Sequence, residues 1–185
     1  MRILGISGSV RRDSFNTRLL DAAAELLPDD AELEIWRGLK SVPPFDEDEE
    51  AGTAPPAVAE LRDLLAGADA VLFATPEYNG SVPGQLKNAL DWASRPHATS
   101  PLRNVPVAVV GASTGGFGAV WAQADLRGIL ARIGARVLEN ELAVGNAASR
   151  FDESGHLVEA AVREQLEEIV ETLVDYVRAR EAVAA

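Results

Sequence analysis

The sequence predicts an α/β fold, a single parallel sheet with helices on both faces. Two observations carry this. Strand-like apolar runs and helix-period stretches alternate along the 185 residues, five strands in all. The runs at 69–75 and 105–112 are apolar nearly throughout, as strands covered on both faces are, rather than alternating like strands with one wet face.

Taken in order, residues 2–7 read as a buried strand and 16–27 as a helix with apolar positions at helical spacing. Residues 32–37 alternate as a second strand. Residues 56–67 form a helix opened by proline and closed by Gly67. The third strand, 69–75, precedes a helix over 83–94. The fourth, 105–112, leads through a glycine-rich turn into a helix over 118–133. A fifth strand over 135–143 and a long amphipathic helix over 154–180 complete the chain, with 178–185 expected to fray. Right-handed crossovers leave few windings for such a sheet, and five strands favour the flavodoxin-like order 2-1-3-4-5. The length fits one domain spanning 1–185.

A formal net charge of −12 argues against nucleic acid or an anionic membrane as partner, since both reward basic patches. The absence of cysteine excludes disulfides and thiol chemistry. The N-terminus runs straight into strand-like sequence, and no apolar stretch approaches the roughly 18 residues of a membrane span. A soluble, cytoplasmic protein is expected. The stretch 43–56 carries five consecutive acids, Asp46 to Glu50, and reads as a solvated excursion rather than a metal site.

In a parallel sheet, ligands bind beyond the carboxyl ends of the strands where the winding reverses. For this order the loops after strands 1, 3 and 4 lie together, and all three are unusual. The first, Gly8 to Thr17, opens a helix, whose free N–H groups and dipole favour an anion. Ser9, Ser14 and Asn16 add donors and Arg11 a charge suited to phosphate; one of them alone would suffice as a cap. The second, Thr75 to Gly84, holds two prolines and two glycines around Tyr78, an aromatic face with a polar tip. The third, Gly111 to Gly118, allows close backbone approach to a planar ligand. Neither glycine string has the dinucleotide spacing after the first strand, so the usual nicotinamide fold is disfavoured.

Three motifs in order, Gly8-Ser9-x-Arg11-x-x-Ser14-x-Asn16, then Pro76-Glu77-Tyr78-Asn79-Gly80, then Leu86-Lys87-Asn88-Ala89-Leu90-Asp91-Trp92, resemble the NADPH-dependent FMN reductase family. That family includes quinone, chromate and azo-dye reductases, and the resemblance spans residues 2 to about 175. It implies FMN held at the three loops. Ser9, Arg11, Ser14 and Asn16 would hold the phosphate, and Pro76, Glu77, Tyr78, Asn79 and Gly80 would line the ribityl and ring portions. Ser113, Thr114, Gly115 and Gly116 would face the ring from the strand-4 side, with N–H groups of 78–80 and 115–116 near the charge of the reduced ring.

The resemblance further implies hydride transfer from NADPH (or NADH) through FMN to a quinone-like or other small acceptor, or reduction of FMN itself. The flavin carries the chemistry, so no catalytic side chain is required. Neither His97 nor His156 fits a catalytic pattern, and Trp92 and Phe117 read as packing residues. The helix over 83–94, with Lys87, Asn88, Asp91 and a Trp92 in need of cover, implies a homodimer or homotetramer. The alternative from another class is a flavodoxin-type electron carrier, which the acidic surface suits and the arginines of the first loop do not.

Overall fold

A computed structural model describes residues 1–184, and Ala185 lies outside the described residues. Strands β1 (Arg2–Ser7), β2 (Glu32–Trp36), β3 (Ala70–Thr75), β4 (Pro106–Ala112) and β5 (Arg136–Val144) form one sheet in the order β2-β1-β3-β4-β5. Every neighbouring pair is parallel, as the alternation of elements predicts. All residues of β3 and β4 are buried, whereas β2 at the edge alternates exposed and half-buried positions up to the buried Trp36. The reversal of winding falls between β1 and β3, so the loops after β1, β3 and β4 emerge side by side.

Successive side chains of a strand point to opposite faces, and that period divides the core in two. Ile3, Leu72 and Val110 pack with α1 (Phe15–Ala24) and α6 (Ala160–Ala184), through Leu19, Leu20, Leu166, Ile169 and Leu173. Leu4, Ile6, Val71, Phe73, Val107 and Val109 face the other way. They meet α3 (Pro56–Ala66), α4 (Gly84–Ala93) and α5 (Val120–Ile133) through Leu61, Leu86 and Leu126.

Three features differ from the sequence reading. The terminal helix begins at Ala160 rather than 154, because Phe151 and Leu157 pair as an antiparallel bridge around the turn at Gly155, whose φ is +93°. Its far end continues to Ala184 instead of fraying from 178: Arg178 donates to both oxygens of Asp30 (2.8 and 3.0 Å), and Arg180 to the Asn104 carbonyl (2.8 Å). The acid-rich loop is no free excursion either. It contains a one-turn helix, α2 (Glu47–Glu50), capped by Asp46, and its leading edge folds onto α4.

That fold-back decides the fate of Trp92. The side chain is fully buried, edge-on to Phe45 with ring centroids 5.0 Å apart, and its Nε1–H donates to the Pro43 carbonyl (3.0 Å). Asn88 reads as a surface residue in sequence, yet its carboxamide accepts from the Phe45 N–H (2.7 Å) and donates to the Pro43 carbonyl (2.7 Å). Lys87 and Asp91 do remain on the outside, paired with each other. Trp92 therefore finds its cover within its own chain, and the argument for a dimer through that residue falls away.

Candidate active site

The loop after β1 is shaped by its own short polar side chains. Gly8 N–H donates to the Ala74 carbonyl (2.8 Å), carrying the sheet one residue further. Ser7 Oγ accepts from Ser9 N–H, and Ser9 Oγ from Arg11 N–H, each at 3.3 Å. Ser14 then caps α1, its Oγ accepting from Asn16 N–H at 3.2 Å. The consecutive turns leave Arg11 exposed, and no ion pair involves it among the described residues.

Asn16 also ties two elements together. It is 3% exposed, donates through Nδ2 to the Ala112 carbonyl and accepts at Oδ1 from the Ala112 N–H, both at 2.9 Å. The side chain thus fastens the start of α1 to the end of β4. It positions the first loop against the third.

Glu77 is likewise engaged. Ala119, the residue before α5, adopts a left-handed conformation and provides no capping side chain. Glu77 Oε2 supplies the cap instead, accepting from the N–H groups of Trp121 (3.0 Å) and Ala122 (3.1 Å). After it the chain turns tightly: Tyr78 and Ser81 exchange backbone hydrogen bonds at 3.2 Å each. The two residues between them have positive φ, Asn79 at 53° and Gly80 at 74°, as a primed turn requires. Tyr78 is left 48% exposed beside the cleft.

The third loop is braced from behind. Ser113 N–H donates to the Val144 carbonyl (3.0 Å), Ser113 O accepts from Ala147 N–H (2.9 Å), and Gly115 O accepts from Asn146 N–H (2.9 Å). Gly118 lies at φ +59°, and a Cβ there would stand 2.3 Å from the Ala143 carbonyl carbon. The segment after β5 thus determines the path of the loop after β4. Sequence reasoning missed this brace; the Gly145-Asn146 pair, with Asn146 at φ 50°, is its only local signal.

Between these loops lies a cleft of about 110 Å³. Ser9, Arg11, Ser14, Asn16, Pro76, Glu77, Tyr78, Ser113 and Thr114 line it, together with Phe15 and Ala112, which the sequence does not single out. Asn79, Gly80, Gly115 and Gly116 do not line it: the first two form the tip of the turn, and the other two lie beyond Thr114. Among the N–H groups expected near a reduced ring, that of Tyr78 is spent on Ser81 and that of Gly115 on Ser113 Oγ (3.1 Å). Phe117, read as packing, is 70% exposed and meets the half-exposed Trp121 at 5.0 Å between centroids.

The donor set suits an anion joined to a flat group. One end offers Ser9, Ser14, the start of α1 and Arg11; the other offers the Tyr78 ring. The one carboxylate in the lining, that of Glu77, is turned to the positive end of α5.

The chain is similar to known proteins. An NAD(P)H-dependent FMN reductase from Pseudomonas aeruginosa is 40% identical over 179 residues, covering 96% of each chain. A 2-hydroxy-1,4-benzoquinone reductase from a Burkholderia species is 36% identical over 181 residues, covering 97% of this chain and 98% of its own. The solved structure of FerB from Paracoccus denitrificans, described as a flavoenzyme NAD(P)H:(acceptor) oxidoreductase, superposes with a TM-score of 0.87 at 32% identity, covering 96% of this chain and 97% of that one. The family model described as NADPH-dependent FMN reductase matches residues 1–149, which contain all three loops. The chain belongs to the NADPH-dependent FMN reductase family.

Proposed function

We propose that the chain is an FMN-dependent NAD(P)H oxidoreductase acting on quinone-like acceptors, with FMN in the cleft between the loops after β1, β3 and β4. The observation that carries this is the pairing of an anion-binding end with an aromatic end in one cleft at the winding reversal. Arg11 and the hydroxyls of Ser9 and Ser14 hold the phosphate, helped by the start of α1. Asn16 keeps that loop seated on β4. Tyr78 on one side and Ser113 and Thr114 on the other orient the ring, and Glu77 fixes their spacing by tying the second loop to α5.

FMN, when bound, supplies two-electron hydride chemistry between NAD(P)H and the acceptor. The protein's share is position. Its polar loops set the phosphate end, its aromatic face sets the ring, and the buried sheet beneath closes one side to water.

The quinone reductases among the relatives support the choice of acceptor class. The exposed Phe117–Trp121 pair beside the site supports a homodimer closing over it, in place of the contact through α4. The electron-carrier alternative is not favoured, since the relatives are named as reductases. The test is to titrate the purified chain with FMN and FAD, then follow NADPH oxidation with and without benzoquinone. Saturable FMN binding with quinone-dependent NADPH oxidation is expected; FMN binding without turnover would return the electron carrier, and no FMN binding would end the reading.

A further inference from the structure

Two larger clefts flank the first loop. One, of about 400 Å³, runs between α1 and residues 154–156 and mixes Arg12, Arg18 and Arg37 with Asp13, Asp21 and Glu25, as an ordinary solvated surface does. The other differs. It has a volume of about 270 Å³, opens off the first loop on the β2 side, and is lined by four cations, Arg11, Arg12, Arg37 and Lys40, with no carboxylate at all. This happens in a chain with 29 acidic and 17 basic residues. Arg12 and Lys40 have no ion-pair partner among the described residues, and the single partner of Arg37, Asp21, stands 3.8 Å away with both side chains largely exposed. Four positive charges around one groove, three of them without an ion-pair partner among the described residues, repel one another, and an anion there relieves the repulsion.

The groove is not uniformly polar. Val10, 46% exposed, joins Ile35 and Leu39 along its wall, giving a flat apolar strip beside the cations. A small inorganic oxyanion would leave that strip unused. An adenosine phosphate uses both parts, the purine on the apolar strip and the phosphate on the cations. Ser9 and Arg11 line this groove and the candidate FMN cleft alike, so a ligand in the groove lies beside one in the cleft. Lys40 lines this groove alone and Arg37 lines it together with the first cleft; neither lines the candidate FMN cleft.

We propose that this groove seats the adenosine 2′-phosphate end of NADPH, and that Arg37 and Lys40 make the chain prefer NADPH to NADH. The assignment rests on the reading of the chain as an NAD(P)H oxidoreductase and adds the residues that tell one coenzyme from the other. Both coenzymes offer the adenine ring and the diphosphate; only NADPH offers the extra dianion, which a cluster of exposed cations rewards and NADH leaves unmatched.

The test is the double variant Arg37→Ala/Lys40→Ala in the full chain, loaded with FMN. Losing one charge-assisted contact predicts a rise of about tenfold in KM for NADPH, with KM for NADH within twofold of the parent. In calorimetry, adenosine 2′,5′-bisphosphate should bind the parent and lose about tenfold in affinity in the variant, while 5′-AMP binds both alike. A change below threefold for NADPH and the bisphosphate, or equal losses for both coenzymes, overturns the proposal. So does loss of FMN affinity in the variant, which would make these residues part of the flavin site. The bisphosphate titration needs neither flavin nor turnover, so it scores the groove even if the chain proves not to be a reductase.

Discussion

Asn16 and Ala112, 96 residues apart, are joined by two hydrogen bonds of 2.9 Å that make one side chain behave as an extra strand partner for β4. The pair is buried. Asn16→Ala strands both backbone groups of Ala112. Unsatisfied buried groups cost about 1–3 kcal/mol each, which predicts a loss of about 2–6 kcal/mol in unfolding free energy. Asn16→Asp keeps the acceptor but sets a carboxylate against the Ala112 carbonyl, and should be no better than half as damaging. Urea unfolding monitored by tryptophan fluorescence checks both; a loss under about 0.5 kcal/mol for Asn16→Ala would mean the pair contributes nothing beyond an ordinary surface contact.

Glu77 carries a second long-range tie, and its test separates charge from shape. Glu77→Ala removes the only side-chain cap of α5 and should cost about 1 kcal/mol. Glu77→Gln retains the acceptor, losing only the attraction between a full charge and the helix dipole, about 0.3–1 kcal/mol. The urea midpoints should therefore rank parent, then Gln, then Ala. Equal midpoints for all three would show that the helix start is satisfied by solvent.

Arg11 is the residue on which the flavin assignment turns. If it contacts the FMN phosphate, Arg11→Ala removes a bond worth about 1.5–3 kcal/mol and weakens FMN binding by about 10- to 150-fold. The apoprotein should lose no more than about 0.5 kcal/mol, since the side chain is exposed and unpaired. Arg12→Ala is the control, because Arg12 does not line the cleft. Fluorescence titration of FMN against the three proteins decides the matter; matched losses would indicate general attraction and no specific contact.

Acid should act on the far end of the molecule. The two hydrogen bonds from Arg178 hold the Asp30 carboxyl below the usual carboxylate range. A group depressed on folding contributes its stability above the unfolded value, roughly pH 3.9, and loses it as pH falls through the folded value. Melting temperatures of the parent and Asp30→Ala should thus differ at neutral pH and converge in acid. A gap that stayed constant down to about pH 2 would remove the ion pair from the account.

The strands and the three loops were legible because their signals are local: apolar runs, prolines and glycines, a serine before a helix. Handedness narrowed the sheet order to a few windings, and the count of five strands favoured the flavodoxin-like one. What escaped was every tie between distant segments. Asn16 looks like a phosphate ligand in its motif, and nothing near it names Ala112. Glu77 lies 44 residues from the helix start it caps. Trp92 looks like an exposed aromatic on a mixed helix because the residues that cover it, Pro43 and Phe45, belong to a loop whose acidity suggests only solvent. Side chains that join segments far apart in sequence leave no periodicity to read.

The braces at Ala112, at the start of α5 and at Ala147 also bear on the speed of ligand capture. Each of the three loops is fastened by backbone-directed hydrogen bonds before anything enters between them. No segment has to order itself at the moment of encounter, so association needs only a collision in the right orientation. The observed rate should rise linearly with ligand concentration in stopped flow, as a single exponential, without the plateau that a slow rearrangement imposes. Differences between variants of the cleft should then appear in how long the ligand stays.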